Sequence, residues 1–196
     1  MLPRLHALVL AAGAGTRFGG GKLLAERRGR PLVAWALESA FAAPVDGVTL
    51  VTGADACAVG AAARDAAGAR PLAVRRADDW AQGLSASLRA GLAAVPAEAA
   101  GAFIFLGDMP RIPAETPPAL AAAWFARRAP AAAPMWEGRR GHPVLLGREV
   151  FAEASALGGD RGAGALLDRL GPRLARVEAD DAGVLFDVDT PVALDG

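Results

Sequence analysis

The run LHALVLAAGAGTRFGGGKLL, residues 5–24, decides the fold. Residues 5–12 are apolar apart from His6 and lead into glycines, the pattern of a strand buried on both faces. A glycine-rich loop follows at once, and within it stands Lys22, the only lysine of the chain. Every other Lys/Arg position is arginine, so the exception asks for a cause. Lysine is a compact charge on a flexible stem, whereas arginine is a planar fork that needs room for five donors. A cation threaded among backbone N–H groups near crowded anionic oxygens suits the slimmer ammonium. A glycine-rich turn with a solvated lysine is the plainer alternative.

Outward from this run the chain alternates. Residues 31–43 place Leu32, Trp35, Ala36 and Phe41 at roughly helical spacing behind Pro31, at a plausible first helical position. Residues 47–53 read as a second buried strand, 54–68 as a helix closed by Gly68, and 70–76 as a third strand. A helix over 85–95 and a strongly apolar strand over 102–108 complete the regular part. Such alternation predicts an α/β fold with a mostly parallel sheet covered on both faces and its ligand at the carboxyl ends of the strands. Beyond residue 110 the rhythm loosens. Helices are predicted over 117–128, 148–157 and 165–171, two strands around a turn over 133–147, and closing strands over 175–180 and 184–189.

Composition sets the outer limits. The 196 residues are 53% hydrophobic and 21% charged, enough for one domain spanning 1–196, with no linker, repeat or charge block to divide it. A formal net charge of zero argues against nucleic acid or an anionic membrane as partner. One cysteine, Cys57, and two histidines exclude an intrachain disulfide and a usual structural zinc site, and point to a reduced, cytoplasmic protein. The apolar start is short and lacks a charged leader, so it reads as a strand and not a signal peptide, and no segment reaches the ~18 apolar residues of a membrane helix.

Two phosphate-binding templates fail on the glycine loop. The ATPase loop requires glycine where Thr16 stands and Ser or Thr where Leu23 stands. The dinucleotide fingerprint requires a third glycine at Phe18 and an acidic residue some 20 positions on, where GRPLVAW runs. The loop instead resembles that of the MobA/MocA-like NTP transferases, the molybdenum cofactor cytidylyltransferase group, through Leu10, Ala11, Ala12, Gly13, Arg17, Phe18, Gly19, Lys22 and Leu23. The resemblance implies a three-layer, Rossmann-like nucleotidyltransferase fold with a mixed sheet. It also implies that Lys22 and Arg17 neutralise a triphosphate cradled by the backbone of Gly13 and Gly15.

Five further motifs extend the resemblance, the last with a departure. FLGDMPRI, 105–112, delivers Asp108 to a strand end, where a carboxylate can hold Mg²⁺ and where the family binds its catalytic metal. LFDVDTPVAL, 185–194, carries Asp187 and Asp189, which a strand would set on one face at a cost that a cation relieves. Asp187 is taken as the second metal ligand, and Asp189 as the cap of a helix starting at Thr190-Pro191. DDWAQGLSASLRAGL, 78–92, makes Gly83, Ser85 and Ser87 candidates beside the nucleotide base, although serine capping explains them equally. RRGHPVLL, 139–146, offers His142 to the acceptor side, where a structural histidine is the alternative. In LGGDRGAGALL, 157–167, Gly164 stands where the family pattern has arginine.

The function implied is Mg²⁺-dependent transfer of CMP from CTP to molybdopterin, releasing pyrophosphate, with a molybdenum hydroxylase or its chaperone as recipient. Ala12, glycine in the guanylyltransferases, favours CTP over GTP. The alternatives are a GTP-dependent or sugar-phosphate nucleotidyltransferase and, outside that class, a non-catalytic nucleotide-binding delivery protein or an NAD-dependent oxidoreductase. The two acidic motifs speak against the delivery protein and the failed fingerprint against the oxidoreductase.

Overall fold

A computed structural model describes residues 3–160 and 162–194. Strand β1, Leu5–Ala11, is buried along its whole length. The glycine loop then passes into a two-stranded ribbon, β2 (Glu26–Arg27) and β3 (Arg30–Pro31), before α1, Leu32–Ala42. The regular half continues with β4 (Gly47–Thr52), α2 (Ala56–Ala67), β5 (Leu72–Arg76), α3 (Leu84–Leu92) and β6 (Gly101–Leu106). The remainder comprises α4 (Thr116–Arg127), β7 (Ala131–Trp136), β8 (Arg139–Arg140), β9 (Val144–Gly147), α5 (Phe151–Ser155), α6 (Gly164–Leu170) and β10 (Leu174–Glu178).

The main sheet runs β10-β7-β9-β6-β1-β4-β5, with β8 paired to β7. The β6-β1-β4-β5 half is parallel and β10 is parallel to β7, while β9 runs antiparallel to both its neighbours, so the sheet is mixed and mostly parallel. Period-two alternation along β1 assigns its side chains to two cores. Ala7, Val9 and Ala11 join Phe103 and Phe105 against α1, α2 and α4. Leu8 and Leu10 join Ala102 and Ile104 against α3, α5 and α6. Three layers result, and the central strands read as continuous apolar runs because both faces are covered. His6 interrupts that run with its Nε2 satisfied, 2.9 Å from Thr49 Oγ1 on β4.

Two sequence expectations change. Pro31 lies one residue before α1 in extended backbone, where its ring directs the chain into the helix. Residues 184–189, expected as a closing strand, join no sheet ladder: a short 3₁₀ turn, Ala182–Leu185, is followed by an irregular segment. That segment crosses the carboxyl end of the sheet, pinned by His142 N–H to Val184 O at 2.8 Å and by Val188 N–H to Asp108 O at 3.0 Å. Two glycines permit the crossing. A Cβ on Gly141 would lie 2.4 Å from Val184 O, and one on Gly183 would lie 2.0 Å from Arg111 O.

Candidate active site

The parallel strands β1, β4 and β6 end side by side, and their following residues build one cleft. Gly107 N–H donates to Leu10 O at 2.9 Å, which locks the start of the Asp108 turn against the glycine loop. Ala54 N–H donates to Ala12 O at 3.1 Å on the other side. Between these anchors the loop uses left-handed backbone at Gly15, Gly19, Gly20 and Gly21. The loop folds on itself, with Phe18 and Gly20 N–H both donating to Gly15 O at 3.0 Å. Gly15 is doubly constrained, because a Cβ there would stand 2.7 Å from the Cβ of Lys22.

Lys22 is therefore not a solvated loop lysine. It is 8% exposed, and its Nζ lies 2.6 Å from Asp108 Oδ2 and 2.9 Å from Asp189 Oδ1. Arg17, far more exposed, reaches Asp189 Oδ2 at 3.7 Å. Burial alone would lower the Lys22 ammonium, but the Asp108 and Asp189 carboxylates outweigh it and hold the pKa above its ordinary value. Lys22 holds Asp189 below the usual carboxylate range, with a smaller contribution from Arg17. Asp187 moves the other way: although the residue is exposed overall, partial desolvation of its carboxyl, then the negative charges of Asp189 and Asp108, push it up. A carboxylate raised by its neighbours is one that an added cation would relieve.

The cleft measures about 560 Å³ and is lined by Leu10, Ala11, Ala12, Gly13, Gly15, Arg17, Lys22, Gly83, Ser87 and Asp108 among the residues expected from sequence. Such a volume is the size of a usual small-ligand site. Three candidate residues lie outside its lining. His142 lines an adjoining cavity of about 190 Å³ with Arg140, Gly162 and Gly164, which shares only Leu10, Leu84 and Leu106 with the cleft. Its Nδ1 faces Ile104 O at 3.5 Å, and burial lowers its pKa, which favours the neutral ring. Asp187 is exposed beside the cleft and is not one of its lining residues. The expectation that a strand sets Asp187 and Asp189 on one face fails with the strand, and Asp189 is the one drawn to Lys22. Ser85 also departs from the base-side expectation. Its hydroxyl and its N–H both hold Gly159 O, at 2.7 and 3.1 Å, and fasten the 158–160 segment over α3.

That fastening exposes what sequence reasoning missed. Asp160 reaches the cleft wall against Gly83, whose hypothetical Cβ would meet Asp160 Oδ1 at 2.4 Å. Trp80 lines the same wall. The Gly-Asp dipeptide at 159–160 was the available signal. Where an arginine was expected at 164, the Arg140 guanidinium bonds Gly164 O at 3.3 Å and Asp168 at 2.6 Å.

A divalent cation fits the chemistry of these donors. One ammonium already stands between two carboxylates, and hard oxygen donors are what Mg²⁺ and Mn²⁺ take. Among the described residues no group of three or more His, Cys, Asp or Glu side chains is placed to hold a metal ion. A cation here would complete its shell with phosphate oxygens and water, which is the habit of Mg²⁺. No helix among the described residues is long and apolar enough to cross a membrane.

Comparison with known proteins identifies the family. The chain is 33% identical to nicotine blue oxidoreductase of Paenarthrobacter nicotinovorans, over 96% of this chain and 94% of that protein. It superimposes on the homologue of Mycobacterium tuberculosis Rv0371c from Mycobacterium sp. strain JC1 with a TM-score of 0.85, at 30% identity, covering 97% and 92% of the two chains. Rv0371c of M. tuberculosis H37Rv in complex with manganese matches at a TM-score of 0.74 and 26% identity, covering 98% and 94%. Residues 7–177 match the model of the MobA-like NTP transferase domain, and the chain belongs to that family.

Proposed function

We propose that this protein is a metal-dependent nucleotidyltransferase that transfers CMP from CTP to a molybdopterin-type acceptor and releases pyrophosphate. It acts as one domain spanning residues 1–196, in the cytoplasm, and its product is handed to a molybdenum hydroxylase or its chaperone. The observation that carries the proposal is the sole lysine, buried beneath the glycine loop at the cleft wall, 2.6 Å from Asp108. The acceptor phosphate attacks the α-phosphorus in line, and the bond to the pyrophosphate leaving group breaks. Such transfer depends on positioning and charge neutralisation more than on a covalent nucleophile. Backbone N–H groups at Gly13 and Gly15 cradle the phosphates, Lys22 and Arg17 supply positive charge, and Ala12, Gly83 and Ser87 border the base. Asp108, with Asp187, would hold Mg²⁺, which supplies Lewis-acid stabilisation of charge on the phosphates. The manganese complex of the Rv0371c protein supports a divalent metal in this fold. His142, in the adjoining cavity, borders the acceptor.

A second reading comes from the relative named as an oxidoreductase, with which this chain shares 33% identity. The same cleft would then hold a reduced dinucleotide by its phosphates. The two readings separate in one set of assays. Purified protein with Mg²⁺ or Mn²⁺ and isolated molybdenum cofactor is given CTP, GTP, ATP or UTP, and pyrophosphate is measured. In parallel, NADH and NADPH consumption is followed with nicotine blue. Cofactor-dependent pyrophosphate release that is strongest with CTP is expected. Release with GTP only, or with a sugar phosphate as acceptor, would move the protein within the class. Hydride consumption without pyrophosphate would replace the class, and nucleotide binding without either turnover would make it a delivery protein.

A further inference from the structure

Four charged groups from three distant stretches of chain alternate in sign at the side of the cleft, three of them, Asp108, Lys22 and Arg17, lining it and Asp189 standing beside it. Asp108 Oδ2 lies 2.6 Å from Lys22 Nζ, which lies 2.9 Å from Asp189 Oδ1, while Asp189 Oδ2 faces Arg17 at 3.7 Å. The series runs outward, from Lys22 at 9% side-chain exposure to Asp189 at 50% and Arg17 at 85%. Asp189 thus addresses both cations, one with each oxygen, and it comes from a segment 167 residues after Lys22.

This pairing has a cost for each ligand taken alone. An ammonium has three donors, and two of those of Lys22 are directed at carboxylates. A triphosphate arriving without metal must draw Lys22 and Arg17 from their acids, leaving carboxylates without partners. A divalent cation arriving without phosphate must displace the ammonium from Asp108. Arriving together, the two exchange partners: Lys22 and Arg17 turn to phosphate, Asp108 would turn to the metal, and the added positive charge offsets the Asp189 carboxylate that the cations leave.

We propose that Asp189 is a positioning residue, which holds Lys22 and Arg17 at the glycine loop and makes this chain take a nucleoside triphosphate and its divalent cation jointly, by exchange of ion-pair partners. The proposal rests on the nucleotidyltransferase reading of the cleft, and its test separates the two. The affinity of a non-hydrolysable CTP analogue is measured by calorimetry with Mg²⁺ and with chelator, at fixed ionic strength, for the parent protein, Asp189→Asn and Asp189→Glu. The ratio of the two affinities is compared between variants, so association of Mg²⁺ with nucleotide in solution cancels.

Asp189→Asn should bind the metal-free analogue more tightly than the parent while gaining nothing with Mg²⁺, lowering the ratio about tenfold. Asp189→Glu should restore most of it. A merely structural role would weaken both affinities together and leave the ratio unchanged, which would overturn the proposal. Should Asp189→Asn fail to fold, Arg17→Gln, at an exposed side chain, combined with Asp189→Ser, which also removes the carboxylate, forms a double-variant cycle on the metal-free affinity. Non-additivity supports the exchange and strict additivity overturns it. If the parent binds no nucleotide with or without Mg²⁺, the nucleotide reading falls and this proposal falls with it.

Discussion

The Lys22 ammonium lies 2.6 Å from Asp108 although the two residues stand at the ends of different strands, Lys22 after β1 and Asp108 after β6. Adjacent parallel pairing brings them together: Leu10 pairs with Leu106 at the ends of those strands. The cation reaches the acid because Gly15 leaves space above the lysine stem and Gly107 turns directly against Leu10 O.

Lys22→Arg should not behave as a conservative change. The site is 8% exposed and roofed by Gly15, with no room shown for a planar fork. We expect kcat/KM for nucleotidyl transfer to fall at least about tenfold, roughly 1.4 kcal/mol of transition-state stabilisation. An arginine variant with parental kcat/KM would disprove a steric requirement for lysine.

Asp108→Asn and Asp187→Asn should each lower transfer, by about 100-fold or more for Asp108, equivalent to roughly 2.7 kcal/mol. For Asp187→Asn the loss should be greatest at limiting Mg²⁺ and partly recovered by excess metal. Parental turnover of Asp187→Asn at limiting Mg²⁺ would transfer the ligand role to Asp189.

Gly83→Ala should loosen the 158–160 segment. Gly83 has a φ of 104°, and an added Cβ would strike Asp160 Oδ1 and the Gly159 backbone. A loss of about 1–3 kcal/mol is expected in chemical denaturation. Ser85→Ala, which removes a 2.7 Å bond to Gly159 O, should cost about 1 kcal/mol. In both variants hydrogen exchange should rise around residues 157–160 before it rises in β1, and uniform acceleration across the sheet would contradict a local role.

Stability should fall on mild acidification. Burial lowers the pKa of both His6 and His142, so the folded state binds fewer protons than the unfolded chain just below the ordinary imidazole value of about 6.5. The neutral-histidine contribution is complete above that value and is lost progressively as pH falls toward the depressed folded values. The melting temperature should drop as pH falls below about 6.5. His142→Gln should lower it throughout but flatten that slope, and an unchanged slope in the variant would remove His142 from the explanation.

Ala12→Gly should raise use of GTP relative to CTP in competition assays. Ala12 lines the cleft, and its Cβ lies 2.7 Å from where a Cβ at Gly53 would stand, so the methyl fills the strand-end turn beside Trp80. One methyl in a tight pocket discriminates by about 1–3 kcal/mol. An unaltered GTP:CTP ratio would place base selection on the Gly83–Ser87 wall.

The alternating strands and helices of the first half and a ligand site at the carboxyl ends of the strands were legible in the sequence because they follow from local signals, whereas the order of the strands in the sheet came from the structure. Continuous apolar runs mark buried parallel strands, glycines mark turns with left-handed backbone, and a parallel sheet gathers its loops at the carboxyl ends. The singularity of Lys22 was legible as well, since no structure is needed to see that arginine was refused there. Tertiary structure alone decided which acid the lysine meets. Residues 184–189 have the alternation of a strand, yet they end as an unpaired crossing segment, because hydrogen bonds from His142 N–H and to Asp108 O capture the backbone away from the sheet. That capture takes Asp187 out of strand register and directs Asp189 to Lys22 across 167 residues of chain. Period-two reasoning sees only neighbours, whereas this ion pair is set by contacts distant in sequence. The same holds for Ser85, which has a local capping signature but spends its hydroxyl on Gly159, 74 residues away.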